Sequence, residues 1–511
     1  MLNKSTFWAL ALVLSISGAQ AQYNAGSLII RAKSKAVSAA EHEAANAKYA
    51  IKKEIKEKKA EKEQKKAENA QKTNNRQSQG VRAAFNPDAI DAPVLYVSNT
   101  GNNGNEGSEG APLKNLQKAI DKAAAGTVIK VAEGNYYGLL NSGTIQVTKP
   151  VYIFGGYSKD FSERDVLRHR TMIQPTPTSN GTMKQATVIL AIDNANAELL
   201  FDGIIFDRGN TISYCSSKEP ERKAQPEGVE SPRMNPIGTA GIGGANLSEK
   251  TFTSESSIFY LNNSRCIITL HNCAFINAPD YAILGLFKGT LNVDNCIFVN
   301  QRMAAVDVRG SDAKVNSNVN FTNNTVLFTW SRTADFGDMG YGYRFQPGTN
   351  CNLRNNIFGC SIFAGIDYTH IDGDKAREAT RNVQVNNNIF FLNRKGDLTI
   401  PGGGNFMYIN SSDFSDVEYL DAASGNKTIS DPSVFKGKID EAYLKGFINA
   451  NYTETTNYDP NSEVNTFRQA FGMNQVGTIT SKTTMYANRY RWEKALLLFG
   501  AVDGCGAQSI K

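Results

Sequence analysis

The chain is poor in the residues that most often catalyse or bind metal. It has four histidines and seven cysteines in 511 residues. None of the cysteines falls in a CxxC pair with histidine partners, so a structural zinc is not expected. Their odd number excludes a complete disulfide framework. Charged residues reach only 20%. Beyond the N-terminus no apolar run is long enough to span a bilayer. Neither a leucine-rich consensus nor sustained helical spacing of apolar residues is present, which argues against leucine-rich and helical solenoids. Glycine is plentiful at 43 residues, asparagine is frequent, and aromatics make up 10%. That mixture suits an all-β chain rich in turns.

From Arg265 to Asn393 one short phrase recurs: HNCAF (His271–Phe275), DNCIF (Asp294–Phe298), NNTVLF (Asn323–Phe328), RNNIF (Arg354–Phe358) and NNNIF (Asn386–Phe390). The steps between phenylalanines are 23, 30, 30 and 32 residues, and FDGIIF (Phe201–Phe206) lies 69 residues before Phe275. Such periods, built of short alternating runs, mark a solenoid of stacked strands. Asparagine tolerates left-handed backbone angles, and its amide can bond the equivalent residue one coil away. The expected fold is a parallel β-helix, with asparagine ladders at one corner and apolar ladders inside. Cys273 and Cys296 occupy equivalent positions one coil apart. They read as stacked buried thiols, although neighbouring strands about 4.8 Å apart would also permit a bridge.

Before the coils come two different segments. Lys4, the apolar run Phe7–Ile16 and Ala19-Gln20-Ala21 have the pattern of an export signal over residues 1–21. Residues 22–90 are rich in Lys, Glu and Ala and read as a helical or disordered stalk. Lys and Arg outnumber acids by eight between residues 22 and 82, against +6 for the whole chain, so the remainder is acidic. Almost no aromatic residue interleaves with this basic stretch, which argues against nucleic acid as a partner. The solenoid is expected over 91–400 with an insertion at 208–256, and 401–511 is expected to supply further coils and a cap over the last one.

Residues 94–157 carry a more specific pattern. Tyr96-Val97-Ser98 leads into a Gly/Asn loop. Pro112, Leu116, Gln117, Ala119 and Ile120 follow, and then Gly126, Ile129, Val131, Gly134 and Tyr136. Leu116, Ala119, Ile120 and Ala123 share a helix face that would cover the first coil. This resembles the N-terminal part of the right-handed parallel β-helix (pectin-lyase-like) family in an exported bacterial member. The resemblance implies a right-handed coil and a partner that is a polysaccharide or envelope glycan. Some members of that family bind calcium in this loop, which here holds Asn99, Asn102, Asn103, Asn105, Glu106 and Glu109. Two carboxylates fit turn and cap duties better than calcium.

Outward side chains stacked on adjacent coils are where a β-helix can do chemistry. Overlaying the strands after each phrase gives one outward column of Leu286, Asp307, Arg344 and Asp367, and a second of Lys288, Arg309, Gln346 and Thr369. Phe287, Val308, Phe345 and Tyr368 would then point inward. A uronate lyase needs a base and cations for the developing enolate, roles open to Lys288, Arg309 and Arg344. A hydrolase would use Asp307 and Asp367, about 9.6 Å apart, but Arg344 between them would keep both ionised. Tyr341, Tyr343, Gln346, Thr369 and His370 are the candidate sugar contacts. The same alternation also describes an ordinary surface ion-pair ladder, in which losing Arg344 would cost at most about 1 kcal/mol. The function read from sequence is therefore an exported protein that binds or processes polysaccharide, as a lyase in its enzymatic form. The alternative is a non-catalytic structural or adhesion protein.

Overall fold

The computed structural model describes residues 86–140, 143–176, 186–209, 257–278, 280–311, 317–330, 340–369, 382–402, 405–429, 431–452, 458–475 and 489–510. The export segment, the stalk up to residue 85, most of the 208–256 insertion, His370 and the loop acids Asp335, Asp338, Asp372 and Asp374 lie outside them.

Each coil contributes a strand to three parallel sheets. Sheet 1 contains Thr127–Ala132, Val151–Tyr157, Asp193–Asp202, Thr290–Asp294, Ser317–Thr322, Thr349–Arg354 and Val383–Asn386. Sheet 2 contains Gly134–Tyr136, Thr171–Ile173, Ile204–Asp207, Ala274–Ile276, Ile297–Val299, Thr325–Leu327, Ile357–Gly359 and Ile389–Phe391. Sheet 3 contains Ile145–Val147, Val188–Leu190, Tyr281–Phe287, Ala304–Gly310, Tyr341–Arg344, Ala364–Asp367 and Gly396–Gly402. The long strand Phe259–His271 runs from sheet 3 into sheet 1. Asn405–Ile409 closes sheet 3 as an antiparallel strand. This is a parallel β-helix, all-β as the repeat required.

The repeat phrase makes the corner between sheets 1 and 2. Gly203, Asn272, Asn295, Asn323, Asn355, Asn387 and Gly425 all have φ between 52° and 70°, where glycine and asparagine are the tolerated residues. Asn295 Nδ2 donates to Asn272 Oδ1 at 2.7 Å, and Asn355 Nδ2 donates to Asn323 Oδ1 at 3.2 Å. A second ladder lies one residue inward. Asn324 Oδ1 accepts from Cys296 N, Asn356 Oδ1 from Asn324 N and Asn388 Oδ1 from Asn356 N, each at 2.9 Å. Cys273 and Cys296 head this ladder as free buried thiols, their Sγ–H groups bonded to carbonyls such as those of His271 and Asp294 at 3.2 Å.

The aromatic ladder is offset from the sequence reading in one coil. Register aligns Phe206, Phe275, Phe298, Val326, Phe358 and Phe390. Val326, not Phe328, is therefore the interior member of NNTVLF, and Phe321 from sheet 1 fills the gap, 5.5 Å from Phe298 and 6.1 Å from Phe358. Phe328 instead takes a left-handed conformation in the turn toward sheet 3. There it faces outward and packs against Tyr443 and Phe447 at 5.2 Å.

Helix α1 (Leu116–Lys122) is capped by Asn115 and buries Leu116, Ala119 and Ile120 against the first coil. At the other end Phe414, Val417 and Leu420 close the interior, with Phe414 edge-on to Phe390 at 5.3 Å. These residues fall within 401–511, and the segment from Tyr490 to Ala507 takes no part in this closure. Helix α2 (Glu441–Asn451), helix α3 (Glu463–Ala470) and the segment from Tyr490 to Ala507 run along the outer face of sheet 2 and bury its Ile205, Ile276, Val299 and Leu327. Outward isoleucines and valines on that sheet are explained by this cover.

Candidate functional site

The outward column of sheet 3 contains the predicted charges, and they do meet. Register pairs Leu284 with Asp307, Asp307 with Arg344, Arg344 with Asp367 and Asp367 with Thr399. The first coil was misplaced by two residues: Leu286 lies opposite Arg309, and Lys288 falls beyond the strand instead of beside Arg309. Gly310 pairs with Phe287.

Asp307, Arg344 and Asp367 are not a surface ladder. Their exposures are 8%, 2% and 0%. Arg344 Nε donates to Asp367 Oδ2 at 2.8 Å, its Nη1 is 3.7 Å from Asp307 Oδ2, and its guanidinium lies 4.8 Å from the Tyr341 ring centre. Burial alone would lower the Arg344 pKa, but Asp367 and Asp307 outweigh it and hold it above the ordinary range. Asp367 Oδ1 also accepts from Thr369 N at 3.0 Å, and from Thr369 Oγ1 and Thr399 Oγ1 at 2.6 Å. Gln346 Nε2 donates to Asp307 Oδ1 at 2.8 Å and its Oε1 accepts from Arg309 Nη2 at 3.0 Å. Arg309 alone of this group is exposed.

Among the predicted sugar contacts, Tyr343 is an interior residue. Its hydroxyl is 3.5 Å from Cys351 Sγ and its ring packs on Phe321 and Phe345. Tyr341 is fully buried under Arg344 and Phe363. Phe287, Val308, Phe345 and Tyr368 point inward as alternation requires. Beside the column, Asp280 is buried next to Arg302, Asp307 and Arg208, and burial pushes its carboxyl up to about 7.

The N-terminal loop uses its asparagines for turns. Asn102 Oδ1 accepts from Gly104 N, Asn103 Oδ1 from Asn115 N, and Asn105 Nδ2 donates to the Pro112 carbonyl, all at 2.9 Å. Among the described residues no group of three or more His, Cys, Asp or Glu side chains could hold a metal ion.

An open cleft lies elsewhere, at residues that, apart from Asn99 of the N-terminal loop, the sequence reading did not select. The C-terminal segment covers sheet 2 back to Met172, which is buried in the same apolar cluster, and leaves Asn135 on the first coil exposed. There a cleft of about 710 Å³ is floored by Asn135, Met172 and Gln174, rimmed by Asn99, Glu133, Lys159 and Arg170, and walled by Trp492. The Arg170 guanidinium sits 4.2 Å from the Trp492 ring centre. The wall is anchored: Tyr490 N donates to Asn277 Oδ1 at 2.8 Å, and Arg491 Nε and Nη2 donate to Asp440 at 2.6 and 2.8 Å. On the rim, His169 bridges Glu133 at 3.2 Å and Glu163 at 2.7 Å. Burial pulls the His169 pKa down, yet the bonds to Glu163 and Glu133 raise it above its ordinary value. An aromatic wall, amides and two cations make a surface that can stack and hydrogen-bond a polar ligand.

Residues 99–185 match the model of a family described as a protein of unknown function (DUF1565). No curated protein matches the chain. Solved structures similar to it include a pectate lyase (12% identity, covering 63% of this chain and 74% of that one, TM-score 0.33). Others are a rhamnogalacturonan lyase (13%, 63% and 87%, 0.31) and a pectin methylesterase from Erwinia chrysanthemi (10%, 65% and 89%, 0.31). At these values the likeness carries nothing about activity. Among the described residues no helix is long and apolar enough to cross a membrane.

Proposed function

We propose that this is an exported glycan-binding β-helix protein whose ligand site is the cleft walled by Trp492. One observation carries the reading. At this cleft the C-terminal cover of sheet 2 ends: Met172 still lies buried in the covered apolar cluster, and one coil earlier the outward residue is the exposed Asn135, beside Lys159, Arg170 and Trp492. Lys159 and Arg170 against Glu133 favour a sugar chain bearing carboxylates. Export is supported by the N-terminal pattern of Lys4, Phe7–Ile16 and Ala19-Gln20-Ala21. The test is affinity electrophoresis in gels containing polygalacturonate, alginate or chondroitin. The protein should be retarded by at least one, and Trp492→Ala should weaken that binding at least tenfold while the fold is retained. Equal retardation of the variant, or none for the parent, would remove the reading.

The lyase version would place turnover on sheet 3 around the exposed Arg309, with Lys288, Asp307, Arg344 and Asp367 in support. It is favoured only by the concentration of buried charge under that face. Release of unsaturated ends, followed by ultraviolet absorbance, tests it. A flat trace on all three polymers leaves binding without cleavage.

A further inference from the structure

The rim of the Trp492 cleft carries a histidine held between two carboxylates. Glu133 follows the strand Thr127–Ala132 and lines the cleft with Lys159 and Arg170. Its backbone is fixed there: Glu133 N donates to the Tyr157 carbonyl at 2.7 Å, and Gly134 N to the Arg170 carbonyl at 2.8 Å. The loop after Val151–Tyr157 brings Glu163, Asp165, Arg168 and His169 to the same corner, where His169 N donates to the Asp165 carbonyl at 2.8 Å. From that position the ring reaches Glu133 Oε2 through Nδ1 at 3.2 Å and Glu163 Oε1 through Nε2 at 2.7 Å. Arg168 pairs with the other oxygen of Glu163, and its Nε lies 3.9 Å from Asp165.

An ionised carboxylate accepts hydrogen bonds and cannot donate, so two such partners call for a proton on each ring nitrogen. Only the imidazolium supplies both, since a neutral ring would turn a lone pair toward one carboxylate oxygen. Burial lowers the His169 pKa, but the bonds to Glu163 and Glu133 outweigh it and raise it. The other charged groups at this corner are Asp165 and Arg168 behind Glu163, and Lys159 and Arg170 in the cleft. When the ring loses a proton, the remaining N–H keeps the shorter bond, to Glu163, and the longer one to Glu133 is lost. With the imidazolium against Glu133, the charges of Lys159 and Arg170 face the cleft uncancelled. Without it, the Glu133 carboxylate offsets one of them.

We infer that His169 is a pH switch on the cleft: protonated, it neutralises Glu133 and favours an acidic sugar chain, and deprotonated, it releases Glu133 to repel that chain. The inference rests on the cleft being the glycan site proposed above and adds the condition under which it binds. The sign follows from a histidine whose charged form is stabilised. Affinity is greatest at low pH and falls as pH rises through the raised His169 value. The carboxylates of the sugar, with ordinary values near about 4, stay ionised over that range, so the change belongs to the protein.

The test is calorimetric titration of the full chain with polygalacturonate, alginate and chondroitin at about pH 5.5 and about pH 9, a window that spans histidine titration. The parent should bind at least one polymer about fivefold more tightly at the lower pH. His169→Gln should bind equally at both, at the parent's weaker level. Glu133→Gln should also bind equally at both, but at the parent's tighter level. That gain at high pH is one that misfolding cannot produce, so Glu133→Gln decides the matter if His169→Gln does not fold. Parent binding that Trp492→Ala weakens but pH leaves unchanged overturns the switch and keeps the glycan site. No binding of the parent at either pH removes both. A pH dependence that persists in Glu133→Gln places the titrating group elsewhere and overturns the inference.

Discussion

Replacing Arg344 by alanine separates a structural from a superficial role for the sheet 3 charges. The guanidinium is 2% exposed and holds Asp367, itself 0% exposed, at 2.8 Å, with Asp307 at 3.7 Å. Removing it leaves two buried carboxylates without their cation. Breaking a buried pair in this way costs about 3–5 kcal/mol, against about 0–1 kcal/mol for a surface pair. The three hydrogen bonds that Asp367 Oδ1 receives from Thr369 and Thr399 survive the substitution, so the lower half of that range is expected. Urea unfolding followed by circular dichroism reads it directly, as a lowered midpoint at unchanged slope. Arg344→Lys should recover part of the loss, since an ammonium can serve one carboxylate but cannot reproduce the planar fork. Retardation by acidic glycans should not change, because the residue is sealed from solvent. A loss below about 1 kcal/mol would show that the carboxylates are solvated, and the reasoning from burial would fail.

Burial raises the Asp280 pKa to about 7, above the unfolded value of about 3.9. Its contribution is therefore fully present below about pH 4 and is lost as pH rises through about 7, on the order of 4 kcal/mol. Asp280→Asn should flatten that decline, read as the difference between variant and parent in urea midpoints across the window; parallel profiles would refute it. Asn356→Ala should cost about 2–4 kcal/mol, because Asn356 accepts from Asn324 N and donates to the Phe321 carbonyl at 2.8 Å, and both are left unpaired inside; a loss under about 1 kcal/mol would contradict the ladder's role. A chain beginning at Ala84 should melt within a few degrees of the mature protein in calorimetry, since the stalk offers almost no large apolar side chain to bury; a large drop would mean that the stalk packs on the coils.

The repeat was legible because its physics is local. Asn272, Asn295, Asn323, Asn355 and Asn387 each need a left-handed angle at one corner, and the residues two or three positions on must face inward. That is enough to fix coil, register and core for most of the chain. It failed at Val326, where an aliphatic residue fills the ladder and the nearest phenylalanine lies two positions away in a different turn. The column Asp307–Arg344–Asp367 was found by the same alternation. Its burial was not, because alternation says which way a side chain points and nothing of what lies over it. The cleft was invisible for a related reason. Asn135 and Trp492 are separated by most of the chain, and only the path of the C-terminal segment along sheet 2 brings them to one wall.

Where a ligand can reach this solenoid follows from what covers each face. Sheet 3 turns a sealed charge network outward, with exposures of 8% or less at Asp307, Arg344 and Asp367. Sheet 2 gives most of its outer face to α2, α3 and the tail, and sheet 1 gives its first coils to Ile90 and Ala92. Under the covers of sheets 1 and 2 the outward residues include Val128, Phe154, Leu200, Ile205, Ile276, Val299 and Leu327. At the cleft the exposed outward residue is Asn135, with Lys159, Arg170 and Trp492 around it. A solenoid needs polar residues on an open face for solubility alone, and lysine or glutamate would meet that need. The cleft sets Trp492 beside Asn135, Lys159 and Arg170, which goes beyond that need, so it is where binding should be sought first.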